Sequence, residues 1–179
     1  AGHYEILGET YAKFEFFEND WNPYSRFLDV DKVDLILRRK LTSGRKIYRE
    51  IQVKFGKLHN VGSAWEKEHF DFSSFRFFKE NEFAGQLDQK DFFIAYILAR
   101  DSGYNRDIFI FPIRDFVEKI IQCAIPSKDQ RKVYISRMKG ESERWVLRRT
   151  GRFSAVTDET CLDVSGYRRN FSVLLADIA

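Results

Sequence analysis

The most constraining feature of this sequence is an apolar run between Asp91 and Arg100. Phe92 to Ala99 is apolar throughout. It is far shorter than the roughly 20 residues of a membrane-spanning helix but has the length of a strand. A strand without polar residues at alternate positions has both faces covered, as in the middle of a sheet. We therefore expect this segment to be a central, buried strand.

A second pattern predicts a β-hairpin earlier in the chain. Val33–Leu41 is rich in β-prone apolar residues, and Thr42-Ser43-Gly44 forms a turn before a second strand at Lys46–Phe55. Side chains alternate between the two faces of a strand. The second strand accordingly places Ile47, Ile51, Val53 and Phe55 on one face, and Tyr48, Glu50, Gln52 and Lys54 on the other.

The remaining segments read as helices and strands in mixed order. The predicted helices are Ile6–Asn19, Glu80–Leu87, Arg114–Ala124 and a closing helix at Val164–Ile178. The other predicted strands are Asp107–Ile113 and a second hairpin formed by Val133–Met138 and Arg144–Arg148. This order predicts an α/β or α+β sheet flanked by helices. The length, 179 residues, suits a single domain over 1–179.

Composition excludes several classes of protein. No apolar run approaches 18 residues, and the N-terminus lacks a basic-then-apolar signal pattern, so we expect a cytoplasmic protein that does not cross a membrane. Cys123 and Cys161 are far apart and fit a pair of reduced thiols. Three scattered His residues do not favour a structural zinc site.

The charge of the chain is unevenly distributed. The net charge is only +3, yet eight Lys or Arg and one acid lie between Arg38 and Lys57. Nine Lys or Arg and three acids lie between Lys128 and Arg152. These basic segments indicate an anionic partner such as a phosphate backbone, or else two hairpins with solvated outer faces.

Polar residues on the first hairpin suggest a metal site. Asp34 begins one strand, and Gln52 and Lys54 lie two residues apart on one face of the next. A carboxylate oxygen of Asp34, the amide oxygen of Gln52 and the carbonyl of Val53 are hard ligands of the kind that Mg²⁺ takes. Lys54 would then orient or deprotonate an attacking water, or stabilise charge on a phosphate.

This arrangement resembles the PD-(D/E)XK nuclease superfamily, in its Gln-x-Lys form typified by Mrr-type restriction enzymes. The upstream Gly8-Glu9-Thr10-Tyr11-Ala12 is similar to a helix that adds a Glu in that branch, so the resemblance makes Glu9 a further site residue and metal ligand. It implies a restriction-endonuclease-like mixed sheet flanked by helices, with a core at about 4–125 followed by a basic hairpin and closing helix at 128–179. It also implies an endonuclease, a hydrolase that cleaves DNA with Mg²⁺ or Mn²⁺, and it raises a homodimer as a partner to consider.

The sequence departs from the family pattern at two positions. Val33 stands where Pro is common, and Gln52 stands where most members have an acid. Glu50, on the same strand face, is a candidate to supply the missing charge. The neutral Gln52 leaves two alternatives open: a nuclease fold that binds DNA without cutting it, and a protein-interaction or regulatory protein.

Further candidates concern nucleic-acid binding. The Phe-rich segment Phe70–Phe78 either covers the core, which we favour, or stacks on bases. Asp29 and Asp31 read as loop acids rather than additional metal contacts. The candidates for phosphate, base or groove contact are Arg144, Arg148, Arg149, Arg152 and Trp65.

Overall fold

The apolar run forms an internal strand, the fourth of five in its sheet, in the computed structural model, which describes residues 2–25 and 32–176. The helices are α1 (Gly2–Glu18), α2 (Ala64–His69) and α3 (Ile113–Asp115), and α3 continues as a π-helix at Phe116–Ile121. The strands are β1 (Asn22–Ser25), β2 (Leu35–Lys40), β3 (Lys46–Lys57), β4 (His59–Asn60), β5 (Phe70–Lys79), β6 (Phe92–Arg100), β7 (Gly103–Pro112), β8 (Ile125–Ser127), β9 (Gln130–Met138), β10 (Trp145–Arg148) and β11 (Cys161–Asp163).

The first sheet has the strand order β1-β2-β3-β6-β7. β2 and β3 form the predicted antiparallel hairpin, and β3 then pairs parallel with β6. β6 pairs antiparallel with β7, so the sheet is mixed. Every residue of β6 except Arg100 is buried. The predicted α/β class, a mixed sheet flanked by helices, is confirmed.

A second, antiparallel sheet covers one face of the first. Its order is β11-β10-β9-β5-β4, with β8 paired to β9. It contains the predicted second hairpin, β9 with β10. The Phe-rich segment with its ambiguous sequence pattern is β5, a ten-residue strand.

Two apolar cores hold these layers together. Helix α1 packs on the outer face of the first sheet, where Ala12 and Phe16 join Ile51, Ala95 and Ile97. The other face meets the second sheet in the larger core, whose members include Ile94, Leu98, Phe78, Ile135 and Leu147. The β6 side chains alternate between the two cores, which is why both parities of this strand are apolar.

Two predicted helices are wrong. Glu80–Leu87 is a series of turns whose N–H groups bond three residues back, for example Ala84 N to Asn81 O at 3.1 Å. The closing helix is replaced, as far as Ala176, by two short 3₁₀ helices at Ser165–Tyr167 and Phe171–Leu175.

Pairing with β7 interrupts the closing segment. Arg168 forms a bridge with Phe109, and the Arg169 N–H donates to the Ile108 carbonyl at 2.7 Å. Arg169 has a φ of 53°, outside the helical region. Its guanidinium donates to Glu15 of α1, a carboxylate with no exposed surface. These tertiary bonds outweigh the apolar periodicity that predicts a helix. Among the described residues, no helix is long and apolar enough to span a membrane.

Candidate functional site

The candidate site lies at an edge of the first sheet where one strand stops and its neighbour continues. β2 pairs with β3 only from Leu35, opposite Ile51, to Lys40, opposite Lys46. β3 runs on to Lys57 and pairs with β6 on its other side. Residues 52–57 of β3 therefore have an edge that β2 does not cover, so their polar groups on that side need other partners.

Asp34 occupies the first position along this edge. Its N–H donates to the Ile51 carbonyl at 2.8 Å, and its carboxylate oxygen Oδ2 accepts the Val53 N–H at 2.7 Å. Because the N–H and C=O of one strand residue point to the same side, the Val53 carbonyl also faces this edge. Asp34 and Val53 thus bring a carboxylate and a backbone oxygen to one place.

Gln52 contributes a polar atom without a partner. Its amide oxygen Oε1 is buried and accepts no hydrogen bond from the part of the chain that is described. A buried polar group in that condition costs free energy, about 1–3 kcal/mol. A ligand that binds this oxygen would remove the cost.

Lys54 lies on the same strand face in a largely enclosed position. Its side chain is 13% exposed, and its Nζ lies 3.7 Å from Oε2 of Glu82. Burial lowers the pKa of Lys54, and the nearby Arg76 lowers it further, against the opposing effect of the Glu82 and Asp34 carboxylates. Lys54 therefore gives up its proton more readily than an exposed lysine does.

These side chains surround one cavity of about 310 Å³. The cavity contains all four residues proposed as catalytic from the sequence, together with Val53. Its lining is Tyr4, Glu5, Glu9, Asp34, Gln52, Val53, Lys54, Phe55 and Arg76. Glu50 lies on the same strand two residues before Gln52 but does not line the cavity.

Helix α1 reaches the cavity because Gly8 lets it approach β3 closely. A Cβ on Gly8 would lie 3.1 Å from the Phe55 Cβ and 3.6 Å from the Val53 Cγ1. The bare backbone at Gly8 thus sets the distance between the helix and the strand, and it places the next residue, Glu9, at the cavity.

Four lining residues have no counterpart among the candidates proposed from sequence: Tyr4, Glu5, Phe55 and Arg76. Helix α1 begins at Gly2 rather than Ile6, so its first turn adds Tyr4 and Glu5. Arg76 of β5 reaches across from the second sheet and donates to the Phe55 carbonyl at 3.1 Å on the open edge of β3. The sequence does contain a signal for Arg76: it lies two residues before the buried Phe78 and therefore on the same face of β5. A charged side chain on a buried strand face needs a specific partner.

The lining carries charges of both signs. Glu5, Glu9 and Asp34 supply carboxylates, whereas Lys54 and Arg76 supply cations. In the described ranges, no three His, Cys, Asp or Glu side chains are grouped closely enough to hold a metal ion. A cation here would therefore depend on mixed oxygen donors: carboxylate from Asp34 and Glu9, amide from Gln52, and the Val53 carbonyl. The unpartnered Gln52 oxygen fits such a donor set.

The structure corrects the proposed role of Arg148. Its side chain is 1% exposed and is enclosed in a polar network beneath α2. The guanidinium donates to Glu66 at 2.8 Å, to Ser73 at 2.8 Å and to Ser136 at 2.9 Å. Arg148 is therefore an internal residue that does not meet an external phosphate.

The other proposed nucleic-acid contacts lie in helix α2 and in the segments that flank β10, and they do not line the cavity. Arg144, Arg149 and Arg152 are exposed, and Arg149 donates to the Asp158 carbonyl at 2.7 Å. Trp65 is half-buried and packs edge-to-face on Phe153, with ring centroids 5.1 Å apart. The two loop acids, Asp29 and Asp31, lie outside the described residues.

Comparisons of this chain with protein-family models, with curated proteins and with solved structures give no match. The resemblance to the nuclease superfamily therefore rests on the motif residues and on the cavity they share.

Proposed function

We propose that this chain is a metal-dependent nuclease that hydrolyses phosphodiester bonds of nucleic acid, in the first instance DNA, with Mg²⁺ or Mn²⁺. The observation that carries the proposal is the buried Gln52 oxygen, which has no partner among the described residues, in a cavity that Glu9, Asp34 and Lys54 also line. These are the residues that the family resemblance nominates, and they come from three separate elements of the chain.

The donor set suits a hard divalent cation. Asp34, Gln52 and the Val53 carbonyl would hold the metal, with Glu9 in support from α1. The Asp34 carboxylate is fixed in place because it also accepts the Val53 N–H. A divalent ion supplies positive charge against the scissile phosphate and lowers the pKa of a bound water.

The two cations of the cavity lining suit a phosphate. Arg76 presents a planar guanidinium, which can bind two phosphate oxygens at once. Lys54, whose pKa is lowered by burial, would orient or deprotonate an attacking water, or stabilise charge that develops on phosphorus. Glu82 holds the Lys54 ammonium within the cavity.

The test is cleavage of plasmid and single-stranded DNA by purified protein with Mg²⁺, with Mn²⁺ and with chelator. We expect metal-dependent nicking that falls by about 10²–10⁴-fold in Lys54→Ala, the range typical for loss of a proton-transfer group. Asp34→Asn should remove the activity as well, because it removes a carboxylate donor. Lys119→Ala, which removes an exposed lysine that does not line the cavity, is the matched control. Robust cleavage by both the Asp34 and the Lys54 variants would contradict the mechanism.

One observation favours a second candidate, a nuclease fold that binds DNA without cutting it. Across residues 2–25 and 32–176, no group of three acidic, His or Cys side chains is placed to bind a metal ion, since Gln52 stands where an acid is usual. Salt-dependent DNA binding with no metal-stimulated cleavage would support this candidate over the first.

A further inference from the structure

A second feature lies on the outer face of the second sheet. Phe75 and Phe77 of β5 are 48% and 43% exposed, and Tyr134 of β9 lies beside them. The ring centroids are 6.0 Å apart for Phe75 and Phe77, and 5.5 Å apart for Phe75 and Tyr134. The Nζ of Lys132 lies 4.2 Å from the Phe75 ring and 4.7 Å from the Tyr134 ring. We call these four residues the aromatic patch.

The aromatic patch lies outside the buried cores. β5 also carries Phe70 and Phe78, which are almost fully buried and supply its share of the cores. Single exposed aromatic residues are ordinary, but several in contact on an open sheet face mark an interaction surface. The Phe-rich segment therefore both covers the core and presents rings to the outside, two properties that the sequence offered as alternatives.

The charge at the aromatic patch favours an anionic partner. The Tyr134 hydroxyl donates to the Glu66 carboxylate at 3.5 Å, and Glu66 is also paired with Arg148 and hydrogen-bonded to Ser63. Two cations lie against the rings, Lys132 and the Arg148 guanidinium, which is 3.9 Å from the Tyr134 ring. Because Arg148 is buried and paired with Glu66, Lys132 is the one of the two that can meet a ligand. Lysine is depleted from the centres of protein–protein interfaces. By contrast, rings that take bases and a lysine that takes phosphate are what single-stranded nucleic acid needs.

The aromatic patch and the candidate cavity lie on opposite sides of one strand. Arg76, between Phe75 and Phe77, points the other way and lines the cavity. The edge of β5 that faces β4 is paired with β4 only at Phe72 and Ser73. From residue 74 onward β4 does not cover this edge. A nucleic-acid chain that contacts both sites has to bend round this edge with its bases unstacked. A flexible single strand can do so, whereas a stiff duplex keeps its base faces inside the helix.

We propose that the aromatic patch binds single-stranded nucleic acid by stacking on its bases, and that the strand it holds passes to the cavity for cleavage. This inference names the substrate class and rests on the proposed function, but the binding step is measurable without cleavage. The substrate is then a free single strand or the single-stranded arm of a branched duplex.

The test is fluorescence anisotropy with labelled oligo(dT), oligo(U) and a DNA duplex of equal length, in chelator so that nothing is cut. The wild-type chain should bind a single strand more tightly than the duplex. Phe75→Leu with Phe77→Leu keeps apolar side chains but removes the rings, and should weaken single-strand binding by about tenfold or more. Phe75→Tyr with Phe77→Tyr keeps the rings and should retain binding. Lys132→Gln should make the slope of log K against log salt concentration shallower by about 0.7, which corresponds to the loss of one phosphate contact.

Two controls separate this inference from folding and from the cleavage proposal. Tyr48→Leu removes an aromatic ring that is 51% exposed on the first sheet, and should leave binding unchanged. Thermal melting of each variant checks that the fold is intact. If the oligo(dT) and oligo(U) arms differ, the tighter one identifies DNA or RNA as the ligand.

The outcomes are distinguishable. Equal binding of the Leu and wild-type proteins, or preference for the duplex, would overturn the inference. Self-association that depends on Phe75 and Phe77, without single-strand binding, would also overturn it and identify a protein interface. Single-strand binding without any metal-dependent cleavage would support the aromatic patch and contradict the nuclease, since the two assays are independent.

Discussion

Replacing Gln52 by Met tests whether its buried oxygen awaits a ligand. Met has nearly the length of Gln but no polar oxygen, so Gln52→Met removes an unpartnered acceptor from a buried place. Such an atom costs about 1–3 kcal/mol. The metal-free variant should therefore be more stable than the wild type by about 1 kcal/mol, which for a chain of this size raises Tm by about 2–4 °C.

Bound metal should make the wild type more stable than Gln52→Met. At a concentration one hundred times its Kd, a ligand that binds only the folded state adds about 2.7 kcal/mol of stability. Mg²⁺ or Mn²⁺ should thus raise the Tm of the wild type by about 5–10 °C and that of Gln52→Met by much less. Differential scanning calorimetry, with and without chelator, measures both effects.

The exposed Gln122 supplies a matched control, because Gln122→Met should leave both the metal-free Tm and the metal response as in the wild type. The reasoning is refuted if metal raises the Tm of Gln52→Met as much as that of the wild type. It is also refuted if Gln52→Met loses several kcal/mol without metal, because the oxygen would then have an internal partner.

Three further predictions concern groups around the cavity and in the cores. The pKa of Lys54 lies below 10.5, so between that pKa and 10.5 the unfolded chain binds more protons than the folded chain and the free energy of unfolding rises with pH. NMR titration should give Lys54 a lower midpoint than the exposed lysines. Arg76→Gln should move that midpoint upward, because it removes a nearby positive charge. Arg148→Met leaves the largely buried Glu66 carboxylate without its ion-pair partner and should lower the free energy of unfolding by about 3–5 kcal/mol, measured with urea. The control Arg149→Ala changes an exposed residue and should lower it by less than about 0.5 kcal/mol. Gly56→Ala forces a methyl group against the facing sheet and should cost about 1–3 kcal/mol by the same measurement.

Each of these has a contrary result. A Lys54 that titrates with the exposed lysines would remove the case for a special role in proton transfer. Equal stabilities for the Arg148 and Arg149 variants would mean that the buried network does not stabilise the second sheet. For Gly56, the matched change is Gly62→Ala, where a Cβ would meet nothing within 4 Å; similar costs at both positions would show that close packing is not the cause.

Strand pattern alone predicts the core of the first sheet and the grouping of the site. The apolar run at β6 and the alternation in β3 are local properties, and they are enough to place Gln52 and Lys54 on one face. Their approach to Asp34 follows from the hairpin register. The Gly8-Glu9 element needs the family resemblance, because a Glu near the start of the helix predicted at Ile6–Asn19 is also explained by the helix dipole.

The errors arise where long-range contacts decide. Arg148 belongs to a basic segment, and only the packing of α2 over β10 turns it into an internal ion pair. The closing helix fails because Arg168 and Arg169 find partners on β7 and α1. Arg76 reaches the cavity from the second sheet, whose position over β3 is not encoded in any local pattern.

The most direct test of the central claim is a crystal structure of the protein soaked in Mn²⁺, with an anomalous difference map. The account predicts a peak in the cavity, about 2.2 Å from the Gln52 Oε1 and from a carboxylate oxygen of Asp34. A saturated soak with no peak at these oxygens, or with Mn²⁺ bound elsewhere and the Gln52 oxygen still buried and unpartnered, would contradict it.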